Sequence, residues 1–131
     1  MRLSSTLVLI SVCLVCAACG MPASGSAGPS RTPAKITLDL GQIDDSGLTG
    51  PPNGRVAISY EFCIPVTQAA QDEVRQIDST IVFQPGARGR IGCTKAQILC
   101  IGSTHQPNWR AVLQKLASLE YIARIDRSDA E

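Results

Sequence analysis

Residues 98–101, Ile-Leu-Cys-Ile, are an unbroken apolar run with Gly92 upstream and Gly102 directly after it. An apolar run that short, bounded by glycines, reads as a buried central strand rather than a helix. A strand apolar at every position has no face to give to water, so both faces of its sheet need a cover. The 131-residue chain has room for one small domain. The rest of the sequence is therefore read for what flanks and covers this strand.

Residues 55–64 alternate Val56, Ile58, Tyr60 and Phe62 with Ala57, Ser59, Glu61 and Cys63, the period of a half-buried strand, and Pro65 ends it. A helix follows over 67–77, with Thr67 as N-cap. Val66, Ala70, Val74 and Ile77 fall on one side of it, and Asp72 and Glu73 on the other. Residues 80–84 read as a short strand, and 85–92 as a glycine-rich turn carrying Arg88 and Arg90. After the central strand, Pro107 opens a second helix with Trp109, Val112, Leu113, Leu116 and Leu119 as its apolar stripe. Residues 121–125 are the last strand, followed by a polar tail that frays. Upstream, 34–54 reads as an extra strand over 34–40, from the alternation of Ile36, Leu38 and Leu40, and then a loop. Asp44 and Asp45 in that loop lack calcium-loop spacing and read as solvated.

The order strand, helix, strand, strand, helix, strand predicts an α+β fold for residues 55–127. It is the ferredoxin-like βαββαβ two-layer sandwich, an antiparallel sheet with two helices on one face. The second face of the central strand then needs the 34–40 strand or a second copy of the protein. The strings YEFCIP and GCxxxxxLCIGSTHQ resemble small uncharacterised bacterial proteins of this topology, a resemblance that implies no activity.

The N-terminus is an address. Arg2 and the apolar residues 7–18 make a signal peptide over 1–18, too short an apolar stretch to span a bilayer, which takes about 20 residues. Residues 16–19, Cys-Ala-Ala-Cys, resemble the lipobox of bacterial lipoproteins, with Cys16 where that family usually has an aliphatic residue. The resemblance implies cleavage before Cys19, acylation of its thiol and amine, and a membrane-anchored protein of the cell envelope facing the periplasm or exterior. The alternative is an ordinary signal peptide and a soluble secreted protein. Residues 19–33 follow as a Gly-, Ser-, Ala- and Pro-rich tether that spans roughly 20 Å as a flexible coil.

With Cys13 and Cys16 lost and Cys19 acylated, Cys63, Cys93 and Cys100 remain, in an oxidising compartment. Antiparallel pairing of the first and third strands brings Cys63 to Cys93, the candidate disulfide, and leaves Cys100 a buried thiol. A metal site from Cys63, Cys93, Cys100 and His105 is the alternative. Against it, seven residues of extended chain, roughly 23 Å, separate Cys93 from Cys100, and there is no C-x-x-C pair. Residues 103–105, Ser-Thr-His, lack the acid and oxyanion hole of a hydrolase and read as a turn at the second helix. Gly86, Arg88 and Arg90 form a candidate anion-binding turn, without the Lys-Ser/Thr ending of a P-loop.

The formal net charge is +1, and loss of Arg2 with the signal leaves a neutral chain. Neutrality and an aromatic content of 4% give no case for a nucleic-acid partner. No cofactor is expected. The first expectation is a lipid-anchored, non-enzymatic interaction module whose partner is another protein or a second copy. A thiol- or metal-handling protein is the alternative, and a protease-propeptide-like inhibitor, on topology alone, the second.

Overall fold

The computed structural model describes residues 33–128. The expected signal peptide, Cys19 with its expected acylation, and tether residues 19–32 lie outside the described residues. The fold is mixed α+β. In chain order the elements are β1 (Leu48–Thr49), β2 (Val56–Ala57), β3 (Ser59–Pro65), α1 (Gln68–Ile77), β4 (Val82–Gln84), β5 (Gln97–Ser103), α2 (Trp109–Ser118) and β6 (Asp126–Ser128). Strands β1 and β2 form a small antiparallel hairpin. The other four form one sheet in the order β4-β5-β3-β6, antiparallel at every pairing.

The apolar run lies at the middle of this sheet. Residues 98–101 occupy β5, which pairs with β3 along seven positions, among them Tyr60 with Gly102, Phe62 with Cys100 and Ile64 with Ile98. Side chains alternate between faces, so these partners share one face. They pack there in one core with Ala70 and Val74 of α1 and with Trp109, Leu113, Leu116 and Ala117 of α2. Each large apolar side chain buried in this way contributes roughly 1.5–3 kcal/mol.

Helix α1 starts where its cap requires: the Thr67 hydroxyl accepts the Ala70 N–H at 3.2 Å. Val66 is not part of the apolar stripe. It is 55% exposed, because its N–H still donates to Ala96 O at 3.1 Å and continues the sheet beyond β3. Helix α2 begins later than Pro107 suggests. The chain first turns tightly, Gln106 N–H donating to Thr104 O, and Asn108 stands at the N-cap position in the left-handed region at φ 56°, its side chain making no capping hydrogen bond.

Three further expectations change. Residues 34–40 are not a strand: one parallel bridge joins Ile36 to Ile125, and Asp39 then accepts the Gly41 N–H and opens a 3-10 turn over Leu40–Gln42. Ile36, Leu38 and Ile43 go into the helix-side core. The first strand breaks at Ile58, whose N–H and C=O both turn to Thr104, so β2 and β3 pair with different partners. The last strand is shifted into the tail. Residues 121–124 make a turn that buries Ile122, and Asp126–Ser128 pair with β3. Pairing with an existing strand overrides the polar composition of those three residues, and charge suits an edge strand.

Candidate functional site

The second face of the sheet carries Leu99 at 3% exposure and Glu61 at 3%, although neither helix lies there. Their cover is the loop of residues 85–96 between β4 and β5, not residues 34–40. Three attachments hold it down. Cys63 and Cys93 form a disulfide with Cα atoms 5.6 Å apart, closing 30 residues. Ile91 N–H donates to Glu61 Oε1 at 2.8 Å. Gly89, at φ 63°, approaches so closely that a Cβ would stand 2.7 Å from Leu99 Cδ1 and 2.9 Å from Glu61 Oε2. Inside the loop the N–H groups of Gly92 and Cys93 both donate to Arg88 O, at 3.1 and 2.7 Å. By loop entropy the disulfide stabilises by about 3–4 kcal/mol.

Pinning the loop leaves a cleft of about 470 Å³ beside it, within the size range of small-molecule sites. Gly86, Arg88, Cys93, Thr94, Lys95 and Gln97 are among the residues lining it. Of the candidate anion-binding turn, Gly86 and Arg88 reach the cleft and Arg90 is not part of its lining. Lys95, Thr94 and Gln97 were not singled out in the sequence. The signal was Lys95 lying two residues after Cys93: once the disulfide fixes that cysteine, the residues beside it are fixed too.

Three other concavities differ in their charge. Arg110 binds Asp45 Oδ1 at 2.7 Å where a hollow of about 300 Å³ opens at the start of α2. Asp45 also borders a hollow of about 270 Å³ with His105. Arg124 pairs with Asp126 Oδ2 at 2.7 Å beside a crevice of about 160 Å³ on the Cys63 side of the disulfide. In each, charge is balanced within the chain.

The metal alternative is not assembled. The sulfurs of Cys63 and Cys93 are bonded to each other, and Cys100 is fully buried on the helix face. His105 is at the other end of β5, its Nδ1 3.1 Å from Ser46 O. Burial pushes the Cys100 thiol up to about 12, which keeps it protonated and unreactive at neutral pH.

Residues 103–105 and the Asp44–Asp45 loop belong together. Thr104, wholly buried, donates its hydroxyl proton to Gly47 O at 2.6 Å and accepts the Ile58 N–H at 3.0 Å. Asp44 is structural rather than simply solvated: its Oδ1 accepts the N–H groups of Ser46 and Leu48, its carboxylate pairs with Arg55, and its C=O accepts Trp109 Nε1–H at 2.9 Å. A second polar cluster gathers at residues 78–80, just before β4, around the buried Tyr60 and Asp78. Tyr60 lies over Gly102, where a Cβ would fall 2.5 Å from its ring, and donates its hydroxyl to Asp78. Thr80 Oγ1 donates to Asp78 Oδ1 at 2.7 Å, and Gln106 Nε2 donates to Tyr60 Oη at 3.2 Å. Burial, followed by the Asp78 carboxylate, raises the Tyr60 phenol well above its ordinary value. No buried side-chain polar atom of this cluster lacks a partner among the described residues, which makes it a fastening rather than a site.

No helix among the described residues is long and apolar enough to cross a membrane. No protein-family model, curated protein or solved structure matches the chain.

Proposed function

We propose that this is a lipid-anchored protein of the bacterial cell envelope, attached through Cys19, that works as a small non-enzymatic binding module. Its binding surface is the cleft beside Cys93. The observation that carries this reading is the pinned loop: a disulfide, a buried carboxylate and a close glycine contact hold one cleft open and rigid. A site fixed before its ligand arrives loses less entropy on binding. The lipobox-like residues 16–19 and the tether support the anchor, and three acyl chains at most, two at least, give stable attachment. The finer fold belongs to the same reading. Taking β3, β4, β5 and β6 as the four strands of a ferredoxin-like βαββαβ unit, their order 2-3-1-4, read from the other edge, is 4-1-3-2, the antiparallel order of that arrangement, with the hairpin and residues 33–54 added before it.

A photocrosslinking residue at Ala87, in the cleft, tests the binding surface in growing cells, with the same residue at Lys115 on α2 as control. The expected result is a discrete adduct from position 87 and none from 115. Identical adduct patterns at the two positions would remove the cleft from the proposal.

A further inference from the structure

Most of the cations among the described residues are used within the chain. Lys35 donates to Leu119 O at 3.0 Å, Arg55 pairs with Asp44, and Arg75 lies over the Phe83 ring at 4.8 Å. Arg110 and Arg124 hold carboxylates. Arg88 and Lys95 do not follow this pattern. Among the described residues neither side chain has a hydrogen-bond, ion-pair or ring partner, and both line the cleft beside the disulfide. Among the described residues no carboxylate lines that cleft.

The neutral polar groups of the lining tend the same way. Gln97 has committed its carbonyl Oε1 to the Thr94 N–H at 3.0 Å, so what its amide has left is N–H donors. Thr94 brings a hydroxyl, which can donate. Two cations with no partner among the described residues and two neutral donors, three of the four on a loop held by a disulfide and Gln97 at the start of β5, form a site complementary to an acceptor-rich, negatively charged group. Ala87, Gly86 and Cys93 complete the wall, and Ala87 offers apolar contact.

We infer that the cleft binds an oxyanion, the carboxylate or phosphate of a small molecule, at Arg88 and Lys95, with the apolar part of that molecule against Ala87. This inference rests on the cleft being the binding surface. The chain's neutrality is no obstacle: two like charges at one cleft set the local potential whatever the net sum. Charge-assisted hydrogen bonds to an oxyanion are roughly twice as strong as neutral ones.

The test uses the full chain in nanodiscs of phosphatidylcholine, read by the backbone amide signals of residues 86–97. One arm adds inorganic phosphate or hexanoate. The other replaces the lipid with one containing phosphatidylglycerol. Saturable movement of these signals is expected in at least one arm, and hexanoate is expected to bind more tightly than phosphate. The arm that responds tells whether the oxyanion is a free small acid or a lipid headgroup. In the double variant Arg88→Ala, Lys95→Ala binding should weaken about tenfold or more. Lys115→Ala removes a charge that lines none of these concavities and should change nothing. An unresponsive 86–97 segment in both arms, or a double variant that titrates like the native chain, overturns the inference. If either of those results is found while position 87 of the native chain still gives its adduct, the binding module stands and only the oxyanion falls.

Discussion

Gly89 and Leu99 are closer than any side chain at position 89 would allow, since a Cβ there would stand 2.7 Å from Leu99 Cδ1. The contact closes the second face of the sheet. It also separates two glycines that look alike in the sequence: Gly86 has a positive φ of 80° too, yet a Cβ there would meet nothing within 4 Å.

Gly89→Ala should therefore cost about 2–3 kcal/mol, from backbone strain and the displaced Leu99 together. Gly86→Ala should cost about 1 kcal/mol, from strain alone. Denaturant melts of the two variants decide the matter, and equal losses would mean that the loop does not press on the sheet.

Thr104→Val keeps the shape of a wholly buried side chain and deletes its hydroxyl. The Ile58 N–H and the Gly47 C=O then lose their partner. A loss of about 2 kcal/mol is expected in the same melts, on the scale of unsatisfied buried groups. Loss under 0.5 kcal/mol, the range of ordinary surface changes, would show that the 43–47 loop is not fastened there.

Stability should fall at alkaline pH. Burial raises Cys100 from 9.0 to about 12, and burial with Asp78 raises Tyr60. Both are acids that stay protonated in the folded state while the unfolded chain releases protons. The stability they contribute is thus intact below about pH 9 and is lost as pH rises from there toward the raised values, at up to about 1.4 kcal/mol per pH unit for each group. Melts between pH 8 and 10.5 should show the decline, and Cys100→Ala should delay its onset toward the Tyr60 range. A variant with the same onset and slope as the native chain would contradict the burial of that thiol.

Cys19→Ala should release the protein from the membrane fraction and abolish incorporation of labelled palmitate. Membrane association unchanged in the variant, with no label in the native chain, would remove the lipid anchor and favour the soluble secreted form.

Much of the sheet was legible in the sequence because its signals are local. The apolar run 98–101 lies in β5, the alternation of 55–64 carries β2 and β3, and Thr67 caps α1. The disulfide followed from one antiparallel pairing. What was not legible depended on distant partners. The alternation of Ile36 and Leu38 imitates a strand, but a core position and a turn at Asp39 serve those residues better. Asp126–Ser128 has no strand character until β3 offers it an edge. The cleft was half legible: Arg88 stood out in a glycine-rich turn, whereas Lys95 matters only because the loop folds back over Leu99 and Glu61.

Peptide mapping of the non-reduced protein, with alkylation before and after unfolding, tests the pinned loop most directly. The predicted result is Cys63 linked to Cys93, with Cys100 alkylated only once the chain is unfolded, in keeping with its full burial. A Cys93–Cys100 link, or three thiols free in the folded protein, would contradict it. The loop would then have no clamp on the sheet, and the cleft beside it no fixed wall.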